Sequence, residues 1–296
     1  MWPYLWIPVT VLASAFQVAR NGLQRSAMPA TGPWGATLIR FLYGLPFSVL
    51  LAAGAWALTP KAAPQFGWAF WSSALSGAVT QVLATAALLV AMRRAGFAVG
   101  TAVQQSSLPL AAIVGLIVYH DRLSGMAWAG VGLTTLGLVA LTWPRHAAGP
   151  QPVSGAAFGL ASGLCFGFSL NAFRHATLAL DAGAPVFAAF TGVALVQAVQ
   201  ASVMSAWLAL RHPESFKAVL ASWRTSLIAG LCGSVASGGW FLALALADAA
   251  PVRAVGVVEA PMAAIAGRRF FRERLHMAQI LAGVGVLAGV LLTTLG

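Results

Sequence analysis

Pro109-Leu-Ala-Ala-Ile-Val-Gly115 and Pro261-Met-Ala-Ala-Ile-Ala-Gly267 read as one motif written twice. Each is followed in step by an acidic-Arg-Leu turn, His120-Asp121-Arg122-Leu123 after the first and Arg272-Glu273-Arg274-Leu275 after the second. Gly137 and Gly289 hold the register further on, and Phe16 and Asn21 pair more weakly with Phe166 and Asn171. Isolated Ala or Leu matches are common in apolar sequence. A proline, a glycine and a charged turn kept in step mark an internal repeat. The stretch Ala147–Pro152 is rich in Gly and Pro and lies near the midpoint, so it reads as a linker. The organisation predicted is a first repeat over 1–146, a linker over 147–152 and a second repeat over 153–296.

What surrounds the motif fixes the solvent. The chain has 296 residues, of which 59% are hydrophobic and only 8% charged, and its mean hydropathy is +0.84. A water-soluble surface needs more charge than that. Apolar runs of about 20 residues recur throughout, the length that crosses a bilayer. Only helices and closed barrels satisfy their backbone in lipid. Continuous apolar runs, without short polar–apolar alternation, choose helices. The spans predicted are 3–20, 33–58, 68–92, 97–119, 124–143, 153–175, 184–210, 226–247, 250–268 and 275–295. The expected fold is an all-α integral membrane protein of ten transmembrane helices.

The repeat then sets the architecture. Five spans is an odd number, so the second half enters the bilayer from the opposite face, which makes an inverted repeat. Secondary transporters use such repeats because two halves of opposite sense exchange conformations around a midplane site. The breaks between spans are expected at Arg20-Asn21-Gly22, Thr59-Pro60-Lys61, Arg93-Arg94, Asp121-Arg122 and Trp143-Pro144-Arg145. Arg211–Arg224, carrying Phe216, Val219, Leu220 and Trp223, is expected to hold a short interfacial helix. Met1–Arg20 lacks a basic leader and a clear cleavage site, and reads as the first span.

The net charge of +11 does not signal nucleic acid, because nearly all the Lys and Arg stand at ends of apolar runs, where water and headgroups meet. Cys165 and Cys232 each lie inside an apolar run and give neither a disulfide framework nor a metal spacing. No P-loop, H-E-x-x-H or G-x-S-x-G motif is present. The expectation is a non-enzyme without cofactor or metal, a monomer whose partners are a small-molecule substrate and the lipid bilayer.

The matched prolines, the Asp121-Arg122-Leu123 and Glu273-Arg274-Leu275 turns, and Gly137 and Gly289 together resemble the drug/metabolite transporter superfamily, in its ten-helix EamA-type members. Asn21 and Arg40-Phe41 add to the likeness, which covers essentially the whole chain. The resemblance implies a secondary carrier in a bacterial inner membrane, with amino-acid export prominent among the activities of its members. One departure stands out: many members place a glutamate directly before the ninth-helix proline, whereas here Ala260 separates Glu259 from Pro261. The two guides to orientation disagree. Alternating the loops places most Lys and Arg on the face away from both termini, which points to periplasmic termini. The resemblance implies cytoplasmic ones.

Glu259 is the sharpest candidate for substrate binding, because a carboxylate within an apolar span is costly unless it meets a cavity, a partner or a proton. It would bind an ammonium or couple transport to protons, or else serve as a structural carboxyl between helices. Pro109 and Pro261 remove a helix hydrogen bond and are candidate kinks. Gln81, Gln104 and Gln105 place amides inside spans, either for a ligand or as glue between helices. Trp240 lies mid-span, to stack on a ligand, face lipid or fill the core. Arg40 either snorkels or attracts a carboxylate. Asn21, Asn171 and His175 complete the candidate set, with His175 either a relay or a solvated span end. Gly155, Gly159, Gly163 and Gly167 form a small-residue stripe for close helix contact.

Overall fold

The computed structural model describes residues 4–59, 62–120, 123–141 and 151–271, with isolated positions beyond. The asparagine–glycine break expected near residue 21 does not occur. Helix α1 runs from Trp6 to Leu42, and its interruption is at Gly32, with φ 68° and ψ 174°. The Gln24 amide Nε2 donates to the Ala36 carbonyl at 2.6 Å. Twelve residues of straight helix would separate those groups by about 18 Å, so the chain turns back at Gly32. Pro29 and Pro33 flank the turn. Pro33 starts the returning arm, where its missing N–H costs nothing. Arg20-Asn21 stays helical because its polar groups pair locally: Arg20 donates from Nε and Nη2 to Asn21 Oδ1, at 3.2 and 2.6 Å.

A side chain at that φ and ψ is strained in any environment, and a Cβ on Gly32 would meet only Ser215 Oγ, at 3.9 Å. Gly32→Ala should therefore cost about 1–3 kcal/mol through the backbone alone. Gly54→Ala, in a helix with nothing within 4 Å of the added carbon, should be neutral or slightly stabilising. Thermal unfolding of the two variants in detergent checks the contrast.

The other helices are α2 Leu45–Leu58, α3 Trp68–Ala95, α4 Phe97–Gln104, α5 Ser107–Val114, α6 Gly125–Leu141, α7 Pro152–Asp181, α8 Pro185–Arg211, α9 Pro213–Ala221, α10 Trp223–Leu246, α11 Ala249–Gly256 and α12 Glu259–Phe271. Helix α5 runs on into one wider, π-type turn over Gly115–Tyr119. Most lie within a few residues of the predicted spans. Helix α3 ends where Gly96 takes φ 95°, and the predicted short helix in 211–224 is α9. Seven stretches among the described residues are apolar and long enough to cross a membrane. Trp6–Leu58 counts once among them, and the turn at Gly32 divides it into arms 6–31 and 33–58.

Large apolar side chains face outward while several polar ones lie inside. Leu58, Leu210, Val153 and Leu50 are 69–83% exposed, while Arg20, Gln24, Gln105 and Glu259 are fully buried. Apolar groups outside and polar groups inside are what a hydrocarbon solvent selects. The chain is a multi-pass membrane protein.

Two compact units emerge, each drawing on both sequence halves: residues 1–82 with 172–247, and residues 83–171 with 248–296. In the first, Leu38, Ile39, Phe41, Ala201, Met204, Leu208, Val219 and Ala229 form an apolar core. Val219 brings α9 into it, and the Tyr43 hydroxyl donates to the Val219 carbonyl at 3.0 Å. The turn between α1 and α2 approaches α10 so closely that a Cβ on Gly230 would meet the Tyr43–Gly44 backbone.

In the second unit, Leu108, Ala112, Val131, Ala250, Ala254 and Val257 join α5, α6 and α11. The glycine stripe of α7 is covered by this unit's own residues. Cβ atoms added at Gly155, Gly159, Gly163 and Gly167 would strike Ala95, Val103, Ser106 and the Ala111 backbone respectively. The stripe is intramolecular packing. The acidic-Arg-Leu turns, the linker and most of the tenth span fall outside the described residues.

Candidate functional site

The repeated motif breaks two helices in the same way. Proline has no N–H to offer the carbonyl four residues earlier, and its ring crowds that carbonyl. Upstream of Pro109, Gln105 N–H turns to the Ala102 carbonyl (3.0 Å), Ser106 to Val103 (3.1 Å) and Leu108 to Gln105 (2.9 Å). Upstream of Pro261, Val257 turns to Ala254 (3.1 Å), Val258 to Val255 (3.2 Å) and Ala260 to Val257 (2.9 Å). All three pairs keep the offset that separates the two prolines. The prolines thus separate α4 from α5 and α11 from α12.

The two broken helices cross in opposite directions within the second unit. Helix α4 packs on α12 and α5 on α11, so the leading part of one meets the trailing part of the other. Four buried polar side chains meet at the crossing. Arg253 Nη1 pairs with Glu259 Oε1 at 3.2 Å, with the two residues 2% and 0% exposed. Arg253 Nε donates to Ser107 Oγ at 2.7 Å, and Arg253 Nη2 donates to Gln105 Oε1. Gln105 Nε2 donates to Glu259 Oε2 at 3.2 Å. The buried carboxylate therefore has a guanidinium and an amide as partners. In repeat register, Arg253 and Glu259 correspond to Thr101 and Ser107, so the first repeat carries hydroxyls where the second carries an ion pair.

Arg253, near the start of the predicted span 250–268, corrects the expectation that arginines near the ends of apolar runs meet water and headgroups. It is 2% exposed, because its side chain has a carboxylate, an amide and a hydroxyl to bond. Its hint in the sequence was that an arginine and a carboxylate share one apolar span, where each alone is costly. Arg20 is a second correction: expected at a span end, it is fully buried within α1. Asn171 lies in α7, where its Nδ2 donates to the Ala111 and Gly167 carbonyls at 2.9 and 3.0 Å. Gln104 is buried at the end of α4. Of the candidates, Gln105 and Glu259 are brought into direct contact here.

The first unit holds the remaining candidates. Arg40 does not snorkel: it is 3% exposed, and its Nη2 donates to Ser237 Oγ at 3.2 Å. Its guanidinium carbon lies 5.0 Å from the Phe41 ring centroid. Gln200 Nε2 donates to Gln81 Oε1 at 2.9 Å and to the Ala78 carbonyl at 3.0 Å. Gln197 Nε2 donates to the Arg40 and Phe41 carbonyls at 3.0 and 3.2 Å. Ser48 donates to Gln197 Oε1, and Ser234 donates to the Gly44 carbonyl at 2.7 Å. Gln81, Gln197, Gln200, Ser237, Phe41 and Phe241 line most of a narrow cleft with room for about one water molecule. Gln197 and Gln200 were not singled out from the sequence. Single amides and hydroxyls in apolar runs carry no signal of which way they face.

Trp240 is 6% exposed, so it does not face lipid. Asn21 lies inside α1, held by Arg20. His175 does not end a span; it sits half-buried within α7, which continues to Asp181. One position earlier on that helix, Arg174 Nη1 donates to the Leu244 and Ala247 carbonyls at 2.9 and 2.7 Å, closing the C-terminus of α10.

No family model matches the sequence, and no curated protein matches it. The chain is similar to a protein known by its crystal structure, with a TM-score of 0.64 and 18% sequence identity. The likeness extends over 97% of this chain and 98% of that one. At that identity it shows the fold alone.

Proposed function

We propose that the chain is a secondary carrier for small metabolites, a ten-helix transporter of the drug/metabolite type built as two inverted five-helix repeats. The observation that carries this reading is the antiparallel crossing of two identically broken helices around buried, charged side chains. A helix pair related by repeat but opposite in direction is what an inverted repeat produces. Broken helices with polar groups at mid-membrane depth are how carriers build ligand sites and the surfaces that rock around them. The arms 6–31 and 33–58, and the apolar α6, support two spans beyond the seven long stretches.

The substrate class proposed is amino acids or similar amphipathic metabolites, exported across a bacterial inner membrane. Proton-coupled drug or metabolite exchange is the second reading, favoured by the buried carboxylate of Glu259. Purified protein in proteoliposomes, loaded with a panel of labelled amino acids with and without a pH gradient, tests both. Saturable flux that ignores the gradient supports uncoupled export. Gradient-driven flux that Glu259→Gln abolishes supports the second reading, and unchanged coupling in that variant removes Glu259 from it. Absence of flux for every compound would favour a membrane scaffold over a carrier.

A further inference from the structure

We propose that the α9 end of the first unit docks on the headgroups of anionic phospholipids through Arg211, Lys217 and Arg224. The inference stands whatever the chain carries. The Gly32 turn, the last turn of α8, α9 and the first turn of α10 share that end. A Cβ on Gly32 would meet Ser215 Oγ of α9 at 3.9 Å, and the Trp34 and Trp207 rings meet edge to face at 5.4 Å. Helix α9 has nine residues, about 14 Å of helix, too short to cross a hydrocarbon core of ~30 Å. Its inner side is tied down: Val219 is fully buried, and the Tyr43 hydroxyl holds the Val219 carbonyl.

The outward side is cationic and aromatic. Arg211, Lys217 and Arg224 are exposed. Trp223 is 49% exposed, with the Arg224 guanidinium carbon 5.4 Å from its ring centroid. Among the described residues, one carboxylate belongs to this surface: Glu214, which pairs with Lys217 at 3.0 Å. Both of those side chains are largely exposed, so the pair contributes little and a phosphate can take its place. Guanidinium groups present a fork of N–H donors that matches phosphate oxygens. Tryptophans settle at headgroup depth, which sets the neighbouring cations level with the phosphates.

The opposite end of the same unit sets the contrast. It too carries exposed aromatics, Tyr4, Trp56 and Trp68. Yet the described residues 4–10, 52–59, 62–70 and 178–188 hold Asp181 and no Lys or Arg. Arg174, two turns inside α7, is half-buried, and its Nη1 serves the Leu244 and Ala247 carbonyls. Aromatic rings suit any bilayer interface and choose no headgroup. Exposed cations do choose, because they favour a phosphate that has no ammonium of its own to neutralise it. Phosphatidylglycerol therefore fits this end better than phosphatidylcholine. A soluble phosphate shares the chemistry but lacks the acyl chains that would hold it against Trp223 and the half-exposed Leu220.

The experiment follows amide hydrogen exchange over residues 213–221 of the full chain in nanodiscs of phosphatidylglycerol and of phosphatidylcholine. Expected is about fivefold slower exchange in the anionic discs, with no such difference at 52–59 and 62–70. The difference should fade as salt rises from about 0.1 M to about 1 M. Equal exchange in the two lipids overturns the proposal, as does a difference indifferent to salt or equal slowing at both ends of the unit. The triple variant Arg211→Gln, Lys217→Gln, Arg224→Gln alters exposed positions only and should lose the lipid difference; a retained difference overturns the assignment. Should that variant not fold, the two-lipid comparison on the unaltered protein still decides. Inorganic phosphate that slows exchange equally in phosphatidylcholine discs would show a soluble-anion site and overturn lipid docking.

Discussion

Arg253→Met should destabilise the protein by about 3–5 kcal/mol, while Arg253→Met combined with Glu259→Leu should recover most of that loss. The single change takes the guanidinium away from a carboxylate that is fully buried. An uncompensated buried charge carries that cost. The double change removes both charges, and well-packed apolar groups at a buried ion pair are often neutral or stabilising. The measurement is a double-mutant cycle on thermal or denaturant unfolding in one detergent. Additive losses would mean that the pair at 3.2 Å does not couple energetically. The cycle also separates two uses of the ion pair. If the double variant is stable but no longer transports, the charges serve the transport cycle rather than the fold.

The second large effect is expected at the α7 stripe. Gly163→Leu should leave little folded protein, because even a Cβ there meets the Ser106 hydroxyl, with the Ser107 amide nitrogen at 3.1 Å and the Gln104 carbonyl at 3.2 Å. Overpacking a tight contact costs about 1–3 kcal/mol where side chains can shift. Here the obstacle is largely the backbone of the α4–α5 break, which cannot shift without moving Gln105 and Ser107 out of the Arg253 network. Leu164→Ala on the next position of the same helix, 53% exposed, should fold normally. Yield and monodispersity by size-exclusion chromatography compare the two. Equal yields would mean that the stripe tolerates a larger side chain, and that the break is less tightly held than its contacts indicate.

The repeat was legible because it is written in residues with strong local consequences. Proline acts on its own helix through a missing donor and a bulky ring, so its effect needs no knowledge of neighbours. That is why Pro109 and Pro261 predicted the same break at the same offset. Span positions were legible for a similar reason, since bilayer thickness imposes a length on every apolar run. Gly32 was missed in favour of Arg20-Asn21-Gly22. A polar triplet looks like a loop in isolation, but two adjacent polar side chains that bond each other can stay within a helix. The buried arginines were missed because a charge near the end of an apolar run reads as an interfacial one.

Taken alone, then, the sequence determined the helical class, the membrane as solvent and the paired breaks, all properties of single segments and their immediate neighbours. Which polar groups meet was decided only in three dimensions. Glu259 found Arg253 and Gln105 because two helices cross in opposite directions, and Arg40 found Ser237 because α1 packs against α10. Those partners lie up to 197 positions apart. Their pairing depends on helix rotation and crossing register, which no local pattern encodes, and in hydrocarbon the cost of an unsatisfied polar group is what fixes that register.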